Sequence, residues 1–234
     1  MNAIITGATK GIGRATAERF AAEGWNLAIC ARSENDLQLT RAALLQLAPQ
    51  PVEIITFAAD VQKKAEVIAF ASHVLQRWQQ VDVLVNNAGV FLPGDIHKEE
   101  EGILETLIET NLYSAYHLTR ALLPAMLPFR KGHIFNLCSV ASLLAYPNGG
   151  SYSISKFALL GFSKVLREEL KDKGIKVTAV MPGATWSHSW QGVDLPESRL
   201  MQADDIAKAI WGATQLSPAA VIEEIIIRPQ LGDL

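Results

Sequence analysis

Short apolar runs alternate with longer stretches of helical periodicity from one end of the chain to the other, and no other feature restricts the fold as much. The runs fall near 2–6, 26–31, 52–57, 82–86, 133–138, 175–181 and 221–227 and read as buried strands. The stretches between them, about 12–23, 34–48, 63–79, 99–129, 151–172 and 203–215, read as helices, the fourth with a break near Asn111. Such alternation is the pattern of a parallel sheet covered by helices on both faces, which places the chain in the α/β class. No internal repeat, low-complexity tract or interdomain linker interrupts it, so residues 1–234 read as one domain.

The first strand runs into Thr6, Gly7, Ala8, Thr9, Lys10, Gly11, Ile12 and Gly13, which puts three glycines where a strand turns into a helix. Glycine lets a backbone turn tightly and approach a pyrophosphate, while the helix start offers free N–H groups and partial positive charge. The spacing is GxxxGxG rather than the usual GxGxxG, so a purely structural turn is the competing reading. After the second strand, Ala31 stands where a carboxylate would hold an adenosine ribose, and Arg32 follows. A guanidinium there suits a 2′-phosphate, with Lys10 as a second cation, which points to NADP(H); a solvated surface Arg is the alternative. Asp60 and Val61 follow the third strand, and Asn86, Asn87, Ala88 and Gly89 follow the fourth, both at the sheet edge where open α/β folds bind ligands. Asn and Gly clusters also form ordinary turns.

Tyr152 and Lys156 lie one helical turn apart, thirteen residues after Ser139, so the phenol and the ammonium share a helix face. Reducing a carbonyl by hydride leaves negative charge on oxygen, which calls for a proton donor and a hydrogen bond aimed at that oxygen. Tyr152 and Ser139 fit those needs. Bringing a phenol from about 10 to about 7 takes roughly 4 kcal/mol of phenolate stabilisation. Lys156 and an oxidised nicotinamide ring are the expected sources. Taken one at a time, the Tyr reads as a core or interface residue and the Ser as a strand-end serine.

Together these motifs, with Pro182 and Gly183, resemble the short-chain dehydrogenase/reductase family in order and spacing over essentially the whole chain. The resemblance implies a doubly wound sheet of seven parallel strands in the order 3-2-1-4-5-6-7. It implies Tyr152 as acid/base, Ser139 on the substrate oxygen, Lys156 on the nicotinamide ribose, and Asn111 holding a water that passes protons from the lysine to solvent, by distorting its helix locally. Asp60 would hold the adenine amino group with Val61 beside it, and Asn87 to Gly89 would line the nucleotide and stabilise the central strand. The family often has a threonine four positions after the Pro-Gly pair, touching the nicotinamide carboxamide. Here Ser187 stands there, and Thr185 competes for the role. The helices around 99–129 and 151–172, with the last strand, would build a homodimer or homotetramer. Glu223, Glu224 and Pro229 read equally as edge protection for a monomer.

The stretch from about 184 to 201 holds two Trp and a His in an irregular segment, and a long ordered loop in a compact domain is more often a lid than a connector. Trp186, His188 and Trp190 alternate with serines and would point to one side of an extended segment. With Phe91, Leu143, Leu144 and Tyr146 they could form an apolar pocket beside Ser139; packing of the lid onto the body, or burial of an oligomer contact, is the alternative. The substrate is a carbonyl or secondary alcohol whose identity the sequence does not give. The absence of a basic cluster on the lid disfavours a 3-oxoacyl carrier-protein reductase. A non-catalytic dinucleotide sensor would need only the glycine turn, and the retained Asn111, Ser139, Tyr152 and Lys156 argue against it.

At 234 residues, 49% hydrophobic and with a net charge of -3, the chain can bury a core but has no run of cations for nucleic acid or an anionic membrane. No apolar run approaches the roughly 18 residues that span a bilayer. With the first strand beginning at Asn2, no cleavable presequence is expected at this start, and a cytoplasmic protein is expected. Cys30 and Cys138 fall in apolar runs and read as inert buried thiols, and the five histidines lack ligand spacing.

Overall fold

The computed structural model describes residues 1–186, 196 and 199–233. Seven strands, β1 (Asn2–Thr6), β2 (Asn26–Ala31), β3 (Ile54–Ala58), β4 (Val83–Asn86), β5 (Gly132–Leu137), β6 (Ile175–Pro182) and β7 (Glu224–Ile227), form one parallel sheet in the order 3-2-1-4-5-6-7. The fold class read from the sequence is the one observed. Because β1 pairs with both β2 and β4, the chain crosses from one side of β1 to the other after β3. That reversal opens a crevice at the carboxyl ends of β1 and β4.

Period-two alternation along each strand divides the core into two layers. Ala3, Ile5, Leu27, Ile29, Val83, Val85, Phe135 and Leu137 face one side, under helices α1 (Gly11–Ala22), α2 (Glu34–Leu47) and, near the end of the chain, a helix over Ala203–Thr214. Ile4, Ala28, Cys30, Leu84, Ile134 and Val177 face the other, under α3 (Lys64–Leu75) and two later helices over Ser114–Leu122 and Gly150–Leu170. The central strands are thus buried on both faces, which is why they read as continuous apolar runs.

The stretch expected as one helix over 99–129 is built differently. It comprises α4 (Ile103–Ile108), a π-helical turn over Glu109–Tyr113, α5 (Ser114–Leu122) and two 3₁₀ turns ending at Phe129. Gly102, at φ +88°, delays the start, and Pro124 and Pro128 stop the α-helix from continuing. The break expected near Asn111 is a widened turn rather than an interruption. Thr110 Oγ1 donates to the Thr106 carbonyl at 2.7 Å, and Ser114 Oγ donates to that of Thr110 at 2.5 Å, so hydroxyls serve carbonyls that the wide turn displaces.

The remaining helices are α6 (Gly150–Leu170) and α7 (Ala203–Thr214). The start of edge strand β7 is tied to α6 by two ion pairs, Arg167 with Glu223 just before the strand and Lys164 with Glu224 at its first residue, each at 3.1 Å. No helix is long and apolar enough to cross a membrane, among the described residues.

Candidate active site

At the crevice, the glycine turn is fastened to the end of β4. Thr6 Oγ1 accepts the backbone N–H of Asn87 at 3.0 Å and of Ala88 at 2.9 Å, while Asn87 Nδ2 donates to the Thr6 carbonyl at 2.8 Å and to that of Gly7 at 3.1 Å. Gly7 has φ +64°, and a Cβ on Gly13 would overlap the Asn87 amide and the Gly7 carbonyl. The glycines therefore have a structural reason to be there. They also leave a bare cradle in front of α1, whose N-cap Lys10 makes no side-chain cap, so first-turn N–H groups stay free for an anionic ligand. Thr9 and Ile12 lie in the same turn and first helical turn.

Arg32 projects from the end of β2 as an exposed side chain, with no carboxylate in ion-pair range among the described residues. Lys10 sits 3.9 Å from Asp36, a loose surface pair. Asp60 is half-buried at the end of β3, held by its N–H on Glu66 at 2.7 Å, and Val61 packs on the core beside it. These groups line the carboxyl-end edge of the sheet on the same side as the glycine turn.

The catalytic candidates converge at the end of β5. Lys156 is 6% exposed, and its ammonium donates to the Leu137 carbonyl at 2.7 Å and lies 5.8 Å from the centre of the Tyr152 ring. Burial pulls its pKa down to about 8, opposed by nearby Cys138. The Tyr152 phenol is pushed above its ordinary value by burial, with the Ser139 hydroxyl working in the other direction through a hydrogen bond. Ser139 Oγ accepts the Ala141 N–H at 3.1 Å, which leaves its own proton for that bond. In the chain by itself desolvation outweighs the hydroxyl, so the phenol stands above its ordinary value. Cys30 and Cys138 are buried thiols raised to about 12 and about 11 by desolvation.

Asn111 sits in the π-helical turn with its amide fully engaged. Its Oδ1 accepts the Val90 N–H at 2.8 Å, and its Nδ2 donates to the Val90 carbonyl at 3.1 Å and to Ser155 Oγ at 3.0 Å. The side chain joins the loop after β4 to α6. Gly89 makes room for this: a Cβ there would sit 3.1 Å from Asn111 Oδ1 and 3.5 Å from Lys156 Nζ.

A family model described as short chain dehydrogenase matches residues 1–197. The chain belongs to the short-chain dehydrogenase family. It is 33% identical over 239 residues to a sepiapterin reductase of Chlorobaculum tepidum, covering 99% of this chain and 97% of that one. Among solved structures it is similar to an alcohol dehydrogenase from Thermococcus sibiricus complexed with 5-hydroxy-NADP, with 30% identity, TM-score 0.89 and coverage of 98% and 96%. It is likewise similar to a metagenomic short-chain oxidoreductase in complex with NADP, with 30% identity, TM-score 0.85 and coverage of 98% and 97%. This short-chain dehydrogenase is therefore an oxidoreductase acting on CH–OH groups.

The substrate side is only partly assembled by the described residues. Phe91 meets the Tyr152 ring edge-on, with centroids 4.8 Å apart and planes at 82°. Tyr146 is near enough that Tyr152, after burial, helps to raise its pKa. Leu144 is exposed, whereas Leu143 turns inward against a small core cluster with Leu159 and Met181. Pro182 ends β6, and the Gly183 N–H donates to the Ile227 carbonyl at 2.8 Å. Thr185 is 8% exposed, bridges Met201, and donates its hydroxyl to the Gly183 carbonyl at 3.0 Å. Trp186 is half-buried and donates its backbone N–H to the Met201 carbonyl at 2.8 Å. Ser187, His188 and Trp190 lie outside the described residues. The sequence reading missed the Leu137 carbonyl, the Val90 backbone and Ser155. Main-chain acceptors leave no sequence signal, but a serine one residue before a helical lysine is a readable one.

Proposed function

We propose that this chain is an NADP(H)-dependent reductase of a carbonyl compound, or dehydrogenase of the matching secondary alcohol. The observation that carries the reading is the convergence of the Ser139 hydroxyl, the Tyr152 phenol and the buried Lys156 ammonium at the end of β5, across the crevice from the glycine turn. Exposed Arg32 at the end of β2, with no carboxylate for a ribose 2′-hydroxyl, supports NADP(H), as do the NADP complexes named for the two solved relatives.

When bound, the cofactor supplies the hydride. Residues Thr6 to Gly13 and Asn87 to Gly89 hold the dinucleotide, Asp60 and Val61 its adenine end, and Pro182, Gly183 and Thr185 or Ser187 its nicotinamide end. Ser139 Oγ donates a hydrogen bond to the substrate oxygen, which orients it and stabilises the charge developing there. Tyr152 Oη gives that oxygen its proton, and the raised phenol is fully protonated at neutral pH, as an acid must be. Lys156, held to about 8, binds the nicotinamide ribose and offers the resulting phenolate both charge and a labile proton. Phe91, Tyr146, Leu144 and Trp186 form an apolar side of the substrate pocket.

Exposed Ile154, Phe157 and Val165 on α6, with Tyr113 and Tyr116 beside them, support a homodimer or homotetramer built on that helix. One domain carries cofactor and substrate sites, in a cytoplasmic enzyme.

The test is NADPH consumption against a panel of aldehydes and ketones that includes sepiapterin, with NADPH binding followed by fluorescence. Turnover of at least one carbonyl, lost in Tyr152→Phe while NADPH binding stays within a few fold, is the expected result. Binding with no turnover across the panel would favour a dinucleotide-binding module, and near-normal turnover by the Phe variant would remove Tyr152 as the acid.

A further inference from the structure

The helix that carries Tyr152 and Lys156 begins without a cap of its own. Its N-cap is Gly149, which has no side chain to offer, and its first turn holds no acidic residue. The first helical residues are Gly150, Ser151 and Tyr152, so the candidate acid sits in the turn whose N–H groups have no partner inside the helix.

A carboxylate from 52 residues upstream supplies what is missing. Glu99 Oε1 accepts the Ser151 N–H at 2.8 Å, and Glu99 Oε2 accepts the Ser151 hydroxyl in a short hydrogen bond. Ser151 is 3% exposed and Glu99 half-buried, so this bond is partly shielded from water. Gly150 is shaped to admit it: at φ +33°, it leaves open the space in which a Cβ would overlap Glu99 Oε1 and the Gly94 carbonyl. Around it, Gly94 N–H donates to the Asn148 carbonyl at 3.0 Å, and Asn148 N–H donates to Asp95 Oδ1 at 3.2 Å.

The same loop starts at Val90, which Asn111 clamps, and continues with Phe91, packed edge-on against Tyr152. Asn111 also bonds Ser155. The loop from 90 to 99 is therefore fastened to α6 at both ends, through Asn111 and Ser155 at one and Glu99 and Ser151 at the other, with Tyr152 between.

We propose that Glu99 is a positioning residue for Tyr152, capping α6 from the loop after β4 and fixing where the phenol stands relative to Ser139. The proposal rests on the reading of Tyr152 as the acid. It follows from the placement that loss of the cap frays the turn in which Tyr152 sits, while the glycine cradle, built on β1 and β4, is untouched.

The experiment compares wild type with Glu99→Ala, Glu99→Gln and Ser151→Ala, as full chains with NADPH and a carbonyl that the panel above identifies. For Glu99→Ala the expected result is a fall in kcat of about tenfold, since small misplacements of reacting groups cost about 10- to 100-fold, with NADPH affinity unchanged. Backbone amide exchange supplies a readout independent of turnover: residues 150–153 should exchange about tenfold faster, and residues 160–170 at the wild-type rate. Glu99→Gln keeps an acceptor for the Ser151 N–H and should recover most of both effects. Ser151→Ala, which keeps its backbone N–H on Glu99, should resemble the Gln variant; if the Ala variant does not fold, Glu99→Asp, whose shorter side chain withdraws the carboxylate from the Ser151 N–H, takes its place with the same expected losses and the same overturning result. Wild-type kcat and exchange in Glu99→Ala would overturn the proposal, as would a Gln variant no better than Ala. Tyr152→Phe in the same assay separates the two readings: a dead Phe variant beside a normal Glu99→Ala sinks the positioning role alone, whereas an active Phe variant sinks the acid.

Discussion

Replacing Lys156 with methionine should alter the pH dependence of stability in a direction and by an amount that follow from its burial. The ammonium is 6% exposed and held to about 8, against 10.5 for a free lysine, with desolvation as the main cause. A depressed lysine binds its proton less tightly in the folded state, so between about pH 8 and about pH 10.5 the unfolded chain holds more protons, and stability rises with pH across that window. Below it both states are charged and the full penalty, about 3 kcal/mol at about 1.4 kcal/mol per pH unit, is present. Integrating the two titrations from about pH 7 to about pH 9.5 gives a gain of about 2 kcal/mol. Raw stability curves will not show this cleanly, because Cys30 and Cys138 are raised and pull the other way as unfolded thiols ionise. The difference between wild type and Lys156→Met removes most of that background. What remains adds to the effect, since losing the lysine removes a charge that lowers Cys138. Urea unfolding of both proteins at the two pH values measures it. The wild type should gain about 2 kcal/mol on the variant with unchanged m-values; a difference that stays within about 0.5 kcal/mol or reverses would refute burial as the cause of the depressed lysine.

Arg32→Ala should weaken NADPH binding by about tenfold, the low end for a charge-assisted contact because the side chain is exposed, and leave NADH little changed. Parallel fluorescence titrations decide it, and equal or tighter NADH binding by the wild type would make Arg32 a solvated surface residue. Gly13→Ala should lower stability by about 1 to 3 kcal/mol and impair NADPH binding, because its Cβ would fall on the Asn87 amide and the Gly7 carbonyl. Gly212→Ala, in α7 with nothing near the added Cβ, is the control and should stabilise by about 0.5 to 1 kcal/mol in thermal unfolding.

The parts of the fold that were readable are those in which a local pattern and a tertiary demand coincide. Strands β1, β2, β5 and β6 are apolar because helices cover both their faces, so their positions show in the sequence to within a residue. Tyr152 and Lys156 share a helix face by spacing alone, and Gly13 declares a close approach that its neighbours confirm. The stretch 99–129 shows its break near Asn111 in the sequence but reads as longer than its α-helices are, because apolar periodicity does not register the backbone geometry at Gly102, Pro124 and Pro128. The site was legible as a set of side chains and illegible as a set of attachments. Lys156 is held by a main-chain carbonyl, Asn111 by the backbone of Val90, and Ser151 by a carboxylate 52 residues away. None of those partners is marked by its own residue type. The desolvation that raises the Tyr152 phenol in the chain by itself is set by tertiary burial and likewise has no local mark in the sequence.

One strand end organises most of the chemistry. The Leu137 carbonyl receives the Lys156 ammonium, and the Ser139 hydroxyl, two residues on, faces the phenol, so both groups on α6 are referred to the end of β5 and the residues just after it. That segment needs a fixed relation to α6, and a buried polar network just behind it supplies one. Asn136 Nδ2 donates to Ser163 Oγ on α6 at 2.9 Å, while Asn136 Oδ1 accepts from Asn86 Nδ2 at 2.8 Å, which also donates to Thr119 Oγ1 on α5 at 3.0 Å. Four elements, β4, β5, α5 and α6, are thereby locked one residue before the lysine's acceptor. Apolar residues would fill the same space without the cost of desolvating amides, but they would fix distance without fixing rotation. Directional bonds set both, and the site depends on both: a rotation of β5 that left its packing intact would still turn Ser139 away from Tyr152.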